Sequence, residues 1–226
     1  MKLITNAENV DVLYEDNHVI AVNKRVGDIV QGDKTGDTPL SDIVKQYLKQ
    51  KYNKPGEVFL GVVHRLDRPT TGVVLFAKTS KALARLNTMF ANKQEVQKTY
   101  WALVDAKPPV EEDTLTHWLV RNEKQNKSVA YNKEMQQSKK AVLHYNLLKS
   151  YERYYLLEID LITGRHHQIR AQLAAIGLHI KGDLKYGAKR SNPDGGICLH
   201  AYSLNFVHPV KKEPIKIIAE APFSFL

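Results

Sequence analysis

Apolar and polar positions alternate in short runs along most of the chain, and the period of each run predicts its element. In "VDVLYEDNHVIAVNK" two apolar runs, Val12 to Tyr14 and Val19 to Val22, flank Asp16-Asn17, which predicts strand, tight turn and strand. Leu40, Ile43, Val44, Tyr47 and Leu48 then recur at helical spacing behind Thr38 and Pro39. Thr38 is expected to cap that helix, with Pro39 at its first position. "VFLGVV" and "GVVLFAK" read as two strands joined by His64 to Thr71, with Pro69 and Gly72 punctuating the connection. Ser80 is placed to cap a further helix that turns Leu83, Leu86 and Phe90 inward.

The second half follows the same grammar. "VQKTYWALVDA" puts Val96, Lys98, Tyr100, Ala102 and Val104 on one face of a strand. "LTHWLV", "KAVLHYNLLKS" and "YYLLEIDLI" are further strands, and the polar stretch from Arg121 to Lys140 is a loop or ribbon between them. Thr163-Gly164 introduces a helix with an inward stripe of Ile169, Leu173 and Ile176, ended by Gly177. On it, His166, His167 and Arg170 are expected to share a face. "ICLHAYSLNFVHP" and "PIKIIAEAP" close the set as strands. Many strands and about three helices indicate an α+β architecture around a largely antiparallel or mixed sheet.

Composition narrows the class. At 226 residues with 43% hydrophobic side chains, the chain has enough apolar material for one substantial core, so a single domain spanning 1–226 is expected. No apolar run approaches the roughly 20 residues of a membrane helix, and the start "MKLITNAENV" lacks a signal-peptide core, which predicts a cytoplasmic protein with no membrane partner. Cys198 is the sole cysteine, so intrachain disulfides and CxxC motifs are excluded. The 33 Lys+Arg outnumber the 24 Asp+Glu by nine, and residues 1–60, with 8 basic and 9 acidic side chains, contribute none of that excess. The remainder therefore carries a charge suited to a polyanion such as a nucleic acid.

That basic remainder holds the segment "VHRLDRPTTGVVLFAK", in which Asp67 stands between Arg65 and Arg68. Asp67 is either a loop carboxylate in a salt bridge or, rigidly held between buried strands, an ionised and oriented nucleophile or base. A metal site of His64, Asp67, His166 and His167 is a third reading, disfavoured because the spacing fits no standard ligand motif and arginines repel a cation. Tyr100 is either a core aromatic or, at the edge of a cleft, a surface on which a base stacks.

The segment "HRLDRPTTGVVLFAKT" closely resembles the signature of the RluA-type RNA pseudouridine synthases. "VLYEDNHVIAVNK", "KTYWALV", "TGRHHQIRAQL", "GDLKYG" and "CLHAYSL" resemble further segments of that family, in the same order and over nearly the whole chain. The resemblance implies the pseudouridine synthase fold and an isomerase that converts uridine in rRNA or tRNA to pseudouridine without cofactor or metal. It implies Asp67 as the catalytic aspartate, Tyr100 as the tyrosine that packs against the target base, and Arg170 as the salt-bridge partner that orients Asp67. Arg65 would help expel the uridine from its stack, Arg68 would bind phosphate or brace the loop, His64 would join them in substrate binding, and Leu199 would line the base pocket. Because base flipping is easiest where pairing is already weak, RNA stem-loops, and not DNA, are the expected partners of a monomer. The chain departs from the family in having "NKRVG", with Arg25 where relatives usually have proline, and no S4-type RNA-binding domain is expected before the matching region. A folding factor that binds RNA without isomerising it is the main competing reading.

Overall fold

The computed structural model describes residues 4–33, 35–92 and 95–223. In chain order its elements are β1 (Val12–Glu15), β2 (Val19–Lys24), α1 (Leu40–Lys51), β3 (Gly61–Val62), β4 (Thr71–Ala77), α2 (Ser80–Asn92), β5 (Val96–Val104), β6 (Glu112–Asn122), β7 (Lys127–Tyr131), β8 (Lys139–Ser150), β9 (Tyr155–Leu161), α3 (Gln168–Ala175), a 3₁₀ turn (Leu184–Tyr186), β10 (Leu199–Val207) and β11 (Pro214–Ile218). The strand and helix content is the α+β pattern that the periodicities predict. Among the described residues no helix is long and apolar enough to cross a membrane. Two compact units are formed, one from Met1–Val96 with Ala201–Pro222, the other from Gln97–His200 with Phe223–Leu226.

In the first unit the strands run in the order β1-β2-β4-β10, with β3 also on β4 and β11 on β10. Asp16 makes the β1–β2 turn, its Oδ1 accepting the N–H groups of His18 at 2.8 Å and Val19 at 2.9 Å. β2 and β4 are continuous apolar runs because both of their faces are covered. Val19, Ala21, Val73, Leu75 and Ala77 pack with Ala82, Leu86 and Met89 of α2. Ile20, Val22, Val74 and Phe76 pack with Leu40, Val44 and Leu48 of α1. The predicted apolar stripe of α1 is thus the face it buries.

Both helix starts lie one residue from their expected caps. α1 begins at Leu40, and Pro39 takes the N-cap position in an extended conformation without a side-chain cap. The carbonyls of Ile29 and Val30 accept the N–H groups of Leu40 at 2.7 Å and Ser41 at 3.2 Å, which satisfies orphan donors that Thr38 was expected to serve. Before α2 it is Thr79, not Ser80, whose hydroxyl accepts the Ala82 N–H at 3.2 Å.

In the second unit antiparallel strands run β5-β9-β8-β6-β7. The polar stretch from Arg121 to Lys140 is a ribbon: it contains β7, which pairs with β6 from Trp118↔Tyr131 to Asn122↔Lys127. α3 lies on this sheet through small side chains, Ala171 packing with Leu119, Ala141 and Tyr186. The helix starts later than Thr163-Gly164 predicts, because His167 adopts a left-handed conformation (φ 50°) that no helix interior accommodates. Thr163 donates its hydroxyl to Gln168 Oε1 at 2.6 Å, and the same oxygen accepts the Arg165 N–H at 3.0 Å, which fixes the intervening turn. His166 and His167 therefore precede the helix, and the shared helical face with Arg170 does not form. Gly177 (φ 79°) ends α3 as predicted: its N–H bonds the Ala174 carbonyl and the Leu178 N–H bonds that of Leu173, the two bonds of a Schellman motif.

Candidate active site

The residues from Val63 to Thr70 leave β3, which pairs with β4 through only Gly61↔Ala77 and Val62↔Phe76. Two residues beyond Val62, the ring of His64 takes over from the strand, its Nε2 accepting the N–H of Leu75 at 3.0 Å. Stacking on Phe90, with ring centres 5.2 Å apart, holds that ring in place. His64 thereby anchors the start of the loop to β4. At its end the Thr70 N–H donates to the carbonyl of Asp67 at 3.0 Å and closes a turn. Gly72 follows with φ 112°, and a Cβ there would strike the backbone of Ala201, so this position accepts glycine alone. Half-buried Asp67 is thus carried on a segment fixed at both ends.

The two arginines beside Asp67 differ in placement. Arg65 is exposed. Arg68 is 38% exposed and donates to Asp37 at 2.6 Å and to the hydroxyl of Thr35 at 2.8 Å, with Asp33 at 3.5 Å. Its guanidinium therefore braces the turn against an acidic segment.

Lys24, at the end of β2, is 1% exposed. Its ammonium donates to the carbonyls of Arg25 at 3.0 Å, Arg68 at 3.0 Å and Thr70 at 2.7 Å. The Arg68 carbonyl also accepts the Gly27 N–H at 3.0 Å. Arg25, in the position where proline is usual, binds the side-chain oxygen of Asn9 at 3.1 Å and its carbonyl at 2.9 Å. The substitution thus ties the segment after β2 to the N-terminal residues and leaves its own carbonyl to Lys24.

The second unit holds Tyr100, Arg170 and Leu199. Tyr100 is buried on β5 in register with Ile159, and Leu199 is buried at the start of β10. Arg170, 4% exposed, makes a two-pronged salt bridge to Asp183, itself 1% exposed, at 2.7 Å from Nε and 2.8 Å from Nη2. The guanidinium also lies 4.9 Å from the centre of the Tyr186 ring. The Tyr186 hydroxyl accepts the Ser128 N–H at 2.8 Å and shares a hydrogen bond with His167 Nδ1 at 3.0 Å. One tyrosine therefore connects the ribbon, the left-handed residue before α3 and the arginine within it. Burial pushes the Cys198 thiol above its ordinary pKa, which keeps it protonated beside Leu199.

The structure gathers His64, Arg65, Asp67 and Arg68 in the first unit and Tyr100, Arg170 and Leu199 in the second. His64 and Asp67 are not joined with His166 and His167 in a ligand set: no group of three or more His, Cys, Asp or Glu able to hold a metal ion occurs among the described residues. His166 instead stacks on His167 at 3.8 Å and bonds Ser128 and Asn126. Lys24, Asp183 and Tyr186 are residues that the sequence reading passed over. For Lys24 a signal exists, since Ile20, Val22 and Lys24 share one strand face and the first two face α1. No local signal marks Asp183 as the partner of Arg170, 13 residues away.

Residues 18–175 match the RNA pseudouridylate synthase family. The chain is 31% identical to the uncharacterized RNA pseudouridine synthase YlyB of Bacillus subtilis, over 98% of this chain and 72% of that protein. It is 32% identical to ribosomal large subunit pseudouridine synthase D of Xylella fastidiosa, over 94% of this chain and 66% of that protein. The same identity holds to ribosomal large subunit pseudouridine synthase C of Buchnera aphidicola, over 95% and 68%. The chain thus spans about two thirds of the length of these relatives. In fold it is similar to human RNA pseudouridylate synthase domain containing 4, with a TM-score of 0.78, 24% identity, and coverage of 94% of this chain and 89% of that one. With the matched region running from β2 through α3 and enclosing the Asp67 turn, the chain belongs to the RNA pseudouridylate synthase family.

Proposed function

We propose that this chain isomerises uridine to pseudouridine in stem-loops of ribosomal RNA, with Asp67 as the reacting carboxylate. The observation that carries the reading is the Asp67 turn, held by His64, Lys24, Arg68 and the Thr70 N–H inside the region that matches the family. Ribosomal RNA is favoured over transfer RNA by the names of two relatives, which are ribosomal large subunit synthases. The reaction breaks the bond from N1 to C1′, turns the base and joins C1′ to C5. The hydrogen on C5 leaves as a proton and N1 gains one, so no oxidant, phosphoryl donor or metal enters the balance. Asp67 acts at C6 of the ring, at C1′ of the sugar or through a glycal, and every route releases the C5 hydrogen.

The other residues take roles that fit their chemistry. Tyr100 supplies an aromatic wall for the detached base, Leu199 an apolar floor and Arg170 the cation that orients the carboxylate. Arg65, exposed beside the turn, enters the stack as the uridine leaves. Of the two roles open to Arg68, its ion pairs favour bracing the loop over binding phosphate. The chain acts as one catalytic domain, a monomer of the cytoplasm, on RNA and not DNA. Its excess of basic side chains over residues 61–226 suits phosphate contacts, each of which steepens the salt dependence of binding by about 0.7 in the log-log slope for single strands.

Release of tritium from RNA labelled at uridine C5 tests the reading, with wild type and Asp67→Asn compared on unmodified ribosomal and transfer RNA. Release by wild type alone, from ribosomal RNA, is expected. Silence of both proteins with RNA binding intact would favour the non-catalytic folding factor, and release from transfer RNA alone would reassign the substrate.

A further inference from the structure

We propose that the face of the second unit turned away from α3 binds unpaired nucleotides of RNA, Trp118 and Tyr131 stacking on bases and Lys140 meeting phosphate; this rests on the reading of the partner as RNA, not on the role of Asp67. α3 covers the other face of β6 and β8: Gln172 bonds the ring of His117 at 3.1 Å, and Ala171 packs with Leu119 and Ala141. Side chains alternate along a strand, so Trp118 and Lys140 project on the side away from that helix. Strand register sets Lys140 of β8, Trp118 of β6 and Tyr131 of β7 in one row. With strands about 4.8 Å apart, the row is about 10 Å long. Val120, opposite Val129, extends it with apolar surface. Tyr131 is 38% and Val129 41% exposed, Lys140 is exposed and Trp118 half-buried.

A cross-strand aromatic pair steadies a ribbon, and lysine at a sheet edge deters pairing with another chain. Neither reason accounts for the charge. From Arg121 to Lys140 six basic side chains stand against two acidic ones, Glu123 and Glu134, an excess of four in twenty residues of a chain whose whole excess is nine. Lys140 lies on β8, which is not at the edge of the strand order, so guarding an edge does not explain it. Arg165 brings a guanidinium beside the row, its Nε donating to the Lys140 carbonyl at 3.1 Å. Exposed rings set among cations suit a polyanion that also carries flat apolar faces. Unpaired RNA is such a molecule: its bases are free to stack on aromatic rings while its phosphates meet lysine and arginine. In a duplex the bases already stack on one another, and only the phosphates remain to be met.

Wild type, Trp118→Leu, Tyr131→Thr, Tyr131→Phe and Lys140→Gln are titrated with a short single-stranded oligocytidylate, which offers the Asp67 site no uridine, and with a blunt RNA duplex of the same length. Indole fluorescence and filter retention are followed over a range of salt, and urea midpoints report folding. Quenching of the wild-type indole by the single strand and not by the duplex is expected, and Trp118→Leu should abolish it. Tyr131→Thr is expected to weaken binding of the strand about 10-fold, while Tyr131→Phe, which keeps the ring, stays within about twofold. Lys140→Gln should lower the log-log salt slope by about 0.7. Equal affinity of folded Tyr131→Thr and wild type would overturn the proposal, as would equal binding of strand and duplex. A dimer in sedimentation that Tyr131→Thr dissolves would give the face to a second copy of the chain and overturn it as well. If Trp118→Leu does not fold, wild-type behaviour of Tyr131→Thr and Lys140→Gln suffices to overturn it. A wild type silent in tritium release, whose binding of the strand still needs Tyr131, would strike the reading of Asp67 and leave this face standing.

Discussion

Among the described residues, the first unit buries the cation of Lys24 and the second that of Arg170, and the two solve the same problem differently. Lys24 sits on β2 of the first unit and gives its protons to backbone carbonyls, whereas Arg170 sits on α3 of the second and meets the carboxylate of Asp183. A side-chain pair can be removed as a pair, because both partners are encoded. Carbonyls cannot be mutated away, so a lysine that holds them has no compensating substitution. The two cations should therefore respond oppositely to attempts at rescue, although both are almost fully buried.

The largest expected effect breaks the second arrangement. Asp183→Ala leaves the Arg170 guanidinium buried without this carboxylate, and a loss of about 3–5 kcal/mol is expected in urea denaturation. Replacing both partners, as in Arg170→Met with Asp183→Leu, is expected to recover more than half of that loss, while tritium release stays abolished. A double variant no more stable than Asp183→Ala would show that the pair is not separable from its surroundings. For Lys24, no second substitution is expected to restore the stability lost in Lys24→Met.

Glu15 sharpens the comparison from the opposite sign of charge. Burial pushes its carboxyl up, but hydrogen bonds from Lys51, Lys78 and Tyr52 outweigh burial and hold it at about 2, below the ordinary 4.5. A depressed carboxylate stabilises the fold in its ionised form, so the contribution is complete above about pH 4.5 and is lost as pH falls toward 2. Glu15→Gln is expected to remove about 2 kcal/mol at pH 7. It should also flatten the dependence of the urea midpoint on pH below 4.5. An unchanged acid slope would sink this account. The smallest effect involves no charge: at Gly177 a Cβ meets open space, so Gly177→Ala costs only the strain of φ 79°, about 1 kcal/mol. A calorimetric shift much larger than that would point to packing that the α3 terminus does not display.

What could be read in advance follows from the range of the forces involved. The β1–β2 hairpin, the α1 stripe, β4 and the glycine stop of α3 are set by neighbours within a few residues, so periodicity and turn chemistry located them. Errors of one residue at the starts of α1 and α2 arose because the competing acceptors, Ile29 and Val30, or the alternative hydroxyl, Thr79, are equivalent in a linear reading. The late start of α3 depends on a left-handed His167, which forms hydrogen-bonded contact with Tyr186, 19 residues away. Asp67 was legible because its motif is contiguous.

The sequence by itself determined the α+β class, the elements, the basic excess and the segment in which Asp67 lies. Only the tertiary structure decided which charges are spent inside the protein. Arg68 meets Asp37 across 31 residues, Lys24 reaches Thr70 across 46, and Arg170 finds Asp183 across a helix end and a turn. Local preference is fixed by a residue's own dihedrals and its near neighbours, whereas the partner of a charge is fixed by which distant segments the core brings together and strips of water.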